Sequence, residues 1–166
     1  MDQEKIKIAI ASDHAGFELK EKIKAFLEEL KYQYHDFGTH SSESTDYPIY
    51  ALKVTEAIAS GEYDKGILIC GTGVGMSIVA NKVLGIRAAA CYDTETARII
   101  RSHNDTNVLC LAGRVTADEL AKKITEVWLK TPFSGEERHI RRIGQIKEIE
   151  GKWANLSYRI KETNHA

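Results

Sequence analysis

Five short apolar runs, each followed by a stretch with helical character, dominate this chain and restrict the folds open to it. The runs are Ile6 to Ala11, Gln33 to Phe37, Gly66 to Cys70, Ile86 to Cys91 and Asn107 to Ala112. Most are continuously apolar rather than alternating, the pattern of strands covered on both faces. Between them Ile23, Phe26, Leu27 and Leu30 repeat at helical spacing, with Lys and Glu on the other face. Leu120, Ile124, Val127 and Trp128 do the same, and Thr116 with Glu119 has the spacing of a capping box. Pro48 suits the first turn of a helix running to about Ser60, with Asp46 as its cap. Strand and helix in this order predict an α/β fold whose five strands form one parallel sheet with right-handed crossovers.

Beyond Pro132 the pattern changes. Ile140, Ile143, Ile146 and Ile149 recur every three residues, followed by Trp153 and Leu156. A C-terminal helix over Arg138 to Glu150 is predicted, its apolar stripe covering a sheet edge or another subunit. Residues 1–150 read as a single domain and 151–166 as an extension, with Lys161 to Ala166 a frayed tail.

Composition narrows the function classes. With 43% hydrophobic residues in 166, the chain has too much to bury for disorder to be its main state. A net charge of −1 supplies no basic field for nucleic acid or an anionic membrane. The apolar runs are too short to span a bilayer, and MDQEKIKIAIAS lacks the core of a signal peptide. Three cysteines, none in a CxxC pair, argue against a disulfide framework or a structural zinc site. A soluble, reducing compartment, the cytoplasm, is expected.

The most informative segment is Cys70-Gly71-Thr72-Gly73-Val74-Gly75 at the end of the third strand. Alternating glycines let a ligand approach the backbone N–H groups, and a helix begins behind them, so the loop reads as an anion-binding nest. It is not a dinucleotide fingerprint. The spacing is GxGxG, the strand is the third, and the first turn carries no glycine motif, although Asp93 stands 18 residues after Gly75 as a candidate acid. No Gly-Lys-Ser/Thr follows, which excludes a P-loop. A turn that bound nothing would not require three glycines and a threonine. Cys70 sits where loop amides would favour its thiolate, whereas Cys91 and Cys110 read as core residues.

Asp13 and His14 close the first strand at the same predicted sheet edge as Cys70. His103-Asn104-Asp105-Thr106-Asn107 precedes the fifth strand and falls at the opposite edge, where it would serve another subunit's site more readily than its own. The residues leave His103 open between a catalytic group and a helix C-cap. His35, His40 and His165 read as surface or loop residues. Arg114 follows the fifth strand, and Arg138 and Arg142 would share a helix face. Forked guanidinium groups suit a phosphate, though such a face is more often solvated surface.

Together, Ser12-Asp13-His14-Ala15-Gly16, Thr45-Asp46-Tyr47-Pro48, the Cys70 loop, Asn81-Lys82, Gly85-Ile86-Arg87-Ala88 and His103 to Val108 resemble ribose-5-phosphate isomerase type B, in the family it shares with the galactose-6-phosphate isomerase subunits. The resemblance covers about residues 5–150. It implies a Rossmann-like αβα sandwich, a homodimer or homotetramer with sites at the interface, and aldose–ketose interconversion of ribose 5-phosphate and ribulose 5-phosphate without metal or nucleotide. Cys70 would be the base, since Gly75 stands where part of the family has a catalytic Glu. The amides of Gly71, Thr72, Gly73, Val74 and Gly75 would bind the oxyanion, and Thr72 would shuttle a proton between O1 and O2. His103 would open the furanose ring, with Asp13 assisting. Asp13 and Asn104 would position hydroxyls. His14, Arg114, Arg138 and Arg142 would hold the phosphate. The same motifs admit a hexose 6-phosphate (allose or galactose) as substrate. A non-enzymatic nucleotide or sugar-phosphate binding module is the third reading.

Overall fold

A computed structural model describes the backbone of residues 6–163 and the side chains of residues 6–154. The strands are β1 (Lys7–Ser12), β2 (Gln33–Asp36), β3 (Lys65–Cys70), β4 (Ala88–Ala90) and β5 (Val108–Ala112). The helices are α1 (Phe17–Glu29), α2 (Tyr47–Ala59), α3 (Val74–Ala80), α4 (Thr94–Ser102), α5 (Asp118–Lys130) and α6 (Glu137–Thr163). All strand pairings are parallel, in the order β2-β1-β3-β5-β4. The expected α/β, Rossmann-like αβα sandwich is what forms.

Both faces of the sheet are covered, which explains the continuous apolar runs. Ile8, Ile10, Ile67, Ile69, Leu109 and Leu111 point to one face, against Leu19, Ile23 and Leu27 of α1 and Ile124 and Trp128 of α5. Ala9, Ala11, Leu68, Cys70, Val108 and Cys110 point to the other, against α2 and α3. Each fully buried Ile or Leu stabilises the fold by about 1.5–3 kcal/mol. Cys91 and Cys110 are fully buried, as expected of core residues.

Sequence and structure part company at several helix ends. Asp46 stands at the N-cap of α2 but makes no side-chain cap bond. The N-cap of α5 is Ala117, so Thr116 and Glu119 form no capping box, and the buried Thr116 hydroxyl has no partner among the described residues. The apolar face of α5 runs through Ala121, Ile124, Thr125, Trp128 and Leu129, rotated away from the exposed Leu120. On α1 the expected charged outer face has one exception. Lys20 is buried and ties α1 to the β2 edge, donating to Asp36 Oδ2 at 2.6 Å, Asp36 Oδ1 at 2.7 Å and the Thr39 carbonyl at 2.6 Å.

Contacts divide the chain into residues 1–133 and 134–166. The second unit holds α6, which continues past the expected end at Glu150 and includes Lys161 to Thr163 of the expected tail; residues 164–166 lie outside the described residues. Ile140, Ile146, Ile149 and Trp153 are exposed along it. No helix among the described residues is long and apolar enough to cross a membrane.

Candidate functional site

The strand order reverses between β1 and β3, and in open α/β sheets the crevice at that switch point, beyond the strands' C-terminal ends, is where ligands bind. Asp13 and His14 leave β1 there, the glycine loop leaves β3, and Arg114 follows β5. The three turns are tied together through the backbone. Asp13 N–H donates to the Ile69 carbonyl at 3.2 Å, Gly113 N–H to that of Cys70 at 2.8 Å, and Arg114 N–H to that of Gly71 at 3.0 Å. A Cβ on Gly71 would meet Arg114 Cδ at 3.4 Å, so the arginine stem crosses the loop.

Gly73 is the pivot of that loop. Its φ of +76° lies in the left-handed region, and a Cβ there would sit 3.2 Å from the Leu111 backbone. This turn aims the Gly73 N–H at Cys70 Sγ, 3.2 Å away. The thiol is 5% exposed, in contact with the α2/α3 core yet at the strand's end. Burial pushes the Cys91 and Cys110 thiols up from their ordinary range, and the nearby Cys70 adds to the rise at Cys110. Thr72 and Val74 are exposed, and the Val74 N–H faces Thr72 Oγ1 at 3.4 Å. Gly75 is packed under the Tyr47 ring, whose Cζ would be 2.8 Å from an added Cβ.

Asp13 is buried and uses Oδ1 to accept the Gly16 N–H at 3.0 Å, which fixes its carboxylate at the crevice. His14 Nδ1 lies 3.2 Å from both the Thr45 carbonyl and the Thr45 N–H, so its tautomer decides which bond forms. That contact leaves Nε2 for a ligand. Arg114 is exposed.

His103 and Asn104 lie elsewhere. They precede β5 at the sheet's other edge, with His103 at the C-cap of α4, its N–H donating to the Ile99 carbonyl at 2.8 Å. The cap position is occupied as one of the two readings had it, and it leaves the imidazole half-buried and Asn104 exposed. Arg138 and Arg142 are exposed on α6, and Arg138 pairs with Glu136 at 2.8 Å. His35 and His40 are exposed, and His165 lies outside the described residues. Asp93 is the N-cap of α4, accepting the Thr96 N–H at 2.7 Å.

Three residues that single-residue reasoning passed over shape the site. Tyr47 covers Gly75, Tyr92 donates its hydroxyl to the Thr72 carbonyl at 2.8 Å, and Arg87 grips the turn after His103. Tyr47 and Arg87 stood inside the recognisable motifs without an assigned role. Among the described residues no three His, Cys, Asp or Glu side chains converge on a metal-sized site.

A family model described as Ribose/Galactose Isomerase matches residues 8–146. The ribose-5-phosphate isomerase B of Escherichia coli (strain K12) is 53% identical over 144 residues, 87% of this chain and 96% of that protein. The solved structure of Clostridium thermocellum ribose-5-phosphate isomerase B superposes with a TM-score of 0.87 at 54% identity, covering 89% of this chain and 99% of that one. The Mycoplasma genitalium ribose-5-phosphate isomerase B, solved with bound ribulose-5-phosphate, superposes with a TM-score of 0.85 at 40% identity, covering 89% and 97%.

Proposed function

The chain belongs to the ribose/galactose isomerase family and is a sugar-phosphate isomerase, and from that premise we propose that it interconverts ribose 5-phosphate and ribulose 5-phosphate through a cis-enediolate, with Cys70 as the base. The observation that carries the proposal is the Gly73 N–H directed at Cys70 Sγ within the crevice.

In going from aldose to ketose the Cys70 thiolate takes the proton from C2. The electron pair moves into a C1–C2 double bond, and charge develops on O1 where the amides of Gly71 to Gly75 are preset. Thr72 carries the O2 proton to O1, and the Cys70 thiol returns its proton to C1. His103 opens the furanose ring beforehand by moving protons to and from its oxygens, with Asp13 assisting. Asp13 and Asn104 orient hydroxyls, and His14, Arg114, Arg138 and Arg142 bind the phosphate.

The site is shared between copies in a homodimer or homotetramer. Cys70 pairs in register with Ala112, while His103 precedes Val108. Val108 to Ala112 alone spans about 13 Å, and the two groups leave opposite ends of that strand, which supports a site completed by a second copy. The exposed Ile49, Leu52, Val74, Ile78, Leu84 and Tyr92 support burial against a second copy. Three free thiols suit the cytoplasm.

Cys70→Ala should lower kcat for ribose 5-phosphate by about 10²–10⁴-fold, the usual worth of a general base, with the fold intact by circular dichroism. A variant with full activity would remove Cys70 from the chemistry. Comparing kcat/KM for ribose 5-phosphate, allose 6-phosphate and galactose 6-phosphate decides the sugar, and a hexose preference would overturn the pentose assignment. A purified chain that turned over none of them would instead be the binding module.

A further inference from the structure

The turn that carries His103 and Asn104 is held more firmly than a helix exit needs. Asp105 takes φ +47°, a left-handed conformation usually left to glycine after a helix. Arg87, directly before β4, reaches across to it. Its Nε lies 2.9 Å from the Asn104 carbonyl and 3.0 Å from that of Asp105, and its Nη2 donates to the Asp105 carbonyl at 2.7 Å and to Asp105 Oδ2 at 2.8 Å. From the other side Arg101 Nη1 donates to Asp105 Oδ1 at 2.8 Å and to the Thr106 carbonyl at 2.6 Å. Three successive carbonyls and one carboxylate are therefore fixed by two guanidinium groups. Asn107 joins the same frame, with Oδ1 accepting the Arg87 N–H at 2.8 Å and Nδ2 donating to the Gly85 carbonyl at 2.9 Å. Trp128 Nε1 donates to Thr106 Oγ1 at 2.8 Å.

Resting on the reading of His103 as the ring-opening residue, we propose that Arg87, Asp105 and Arg101 are positioning residues that fix the His103–Asn104 turn for furanose opening and take no part in the proton transfer at Cys70. His103 must meet the ring oxygen of a substrate held by a different stretch of chain. Its backbone has to be set before the substrate arrives, because a misplacement of about 1 Å can cost about 100-fold in rate. A fork binding two carbonyls and a carboxylate fixes orientation as well as distance, which a lysine ammonium cannot do.

The two half-reactions separate the roles. Turnover of ribose 5-phosphate needs ring opening. Exchange of the C1 hydrogen of ribulose 5-phosphate with D2O needs only the base, because this ketose is already open. Asp105→Gly keeps a residue at ease with φ +47° and removes the carboxylate, and Arg87→Lys keeps the charge and removes the fork. Each should lower kcat for ribose 5-phosphate by about 100-fold while C1 exchange at saturating ribulose 5-phosphate stays within about threefold of wild type. His103→Ala, run alongside, should show the same split, and Cys70→Ala should lose both activities. If His103→Ala splits the reactions and neither clamp variant does, the positioning proposal is wrong. Loss of both half-reactions together in folded clamp variants would also overturn it. If His103→Ala itself fails to split them, the ring-opening assignment falls instead.

Discussion

If Cys70 and His103 act from different copies, two inactive variants should repair one another. Cys70→Ala retains His103, and His103→Ala retains Cys70. In a mixed dimer the two-fold axis makes one site from both substituted residues and the other from both native ones. Random pairing of equal amounts makes half of the dimers mixed, and each carries one working site of two. The mixture should therefore recover about a quarter of wild-type specific activity, against about 1% or less for either variant alone. The magnitude rests on the topology: Cys70 stands beside Ala112 at one end of β5 and His103 precedes Val108 at the other, separated by about 13 Å of strand. Reacting groups must come within about 3–3.5 Å. Co-expression with two different affinity tags, an assay of ribose 5-phosphate turnover in the mixture, and the same assay on tandem-purified mixed dimers, which should show about half of wild-type activity, give the number. If both residues served their own chain, every site in a mixed dimer would lack one of them. Purified mixed dimers with no activity above the parents would refute the shared site.

Other consequences follow from packing and charge. A Cβ at Gly16 would lie 2.4 Å from the Ile69 carbonyl oxygen, so Gly16→Ala should push the Asp13 turn off β3 and cost about 100-fold in kcat/KM. Gly61→Ala, with φ +80° but open space around it, should lower the Tm by a few degrees, about 1–2 kcal/mol, and leave kcat/KM unchanged. Asp36 is partly buried, which raises its pKa, but the bonds from Lys20, Lys24 and the Gly38 N–H outweigh this and hold the carboxyl below its ordinary value. Its stabilisation is thus present above the unfolded carboxylate range and lost as pH falls through the lower folded value; Asp36→Asn should cost about 3 kcal/mol at pH 7, about 10 °C in Tm, with the deficit vanishing near pH 2 in thermal melts. The buried, unpartnered Thr116 hydroxyl makes Thr116→Val stabilising by about 1 kcal/mol in urea unfolding, whereas a true capping residue would lose about that much. Iodoacetamide on the native protein at pH 8 should label Cys70 before Cys110, whose thiol burial pushes up, and ribose 5-phosphate should slow it; peptide mapping that finds Cys110 first would count against the reading.

The elements were legible wherever burial on both faces imposed a pattern. Ile8, Ile10, Ile67 and Ile69 are covered by α1 and α5 on one face and Ala9, Ala11 and Leu68 by α2 and α3 on the other, and β1 and β3 stand within a residue of their expected ends. The edge strand β4 was not. The expected Ile86 to Cys91 contracts to Ala88–Ala90 because side-chain amides replace ladder bonds: Asn107 Oδ1 takes the Arg87 N–H and Asn81 Oδ1 takes the Ala88 N–H. Helix caps failed for a related reason. A cap depends on whether the side chain can turn back onto the right N–H, and Asp93 does so while Asp46 and Thr116 do not. Spacing alone does not distinguish them.

For the site, the order of elements brought Cys70, Asp13 and His14 to one sheet edge, because each stands where a strand ends, and the glycines marked the anion nest beside them. Geometry that depends on distant chain was hidden. Lys20 reads as one more lysine on a charged helix face, yet it is buried and donates to Asp36 and to the Thr39 carbonyl. Thr39 N–H in turn donates to the Ser12 carbonyl at 2.7 Å, directly before Asp13. Arg87 and Asp105 are 18 residues apart and of ordinary composition, and only the adjacency of β4 to β5 makes them partners. The parallel order of the sheet has one further effect. It places every βα turn at one edge and every αβ turn at the other, so a chemistry that draws on both kinds of turn cannot be completed inside one sheet. In the proposed shared site, a second copy turned so that its αβ edge faces this crevice would supply the missing half.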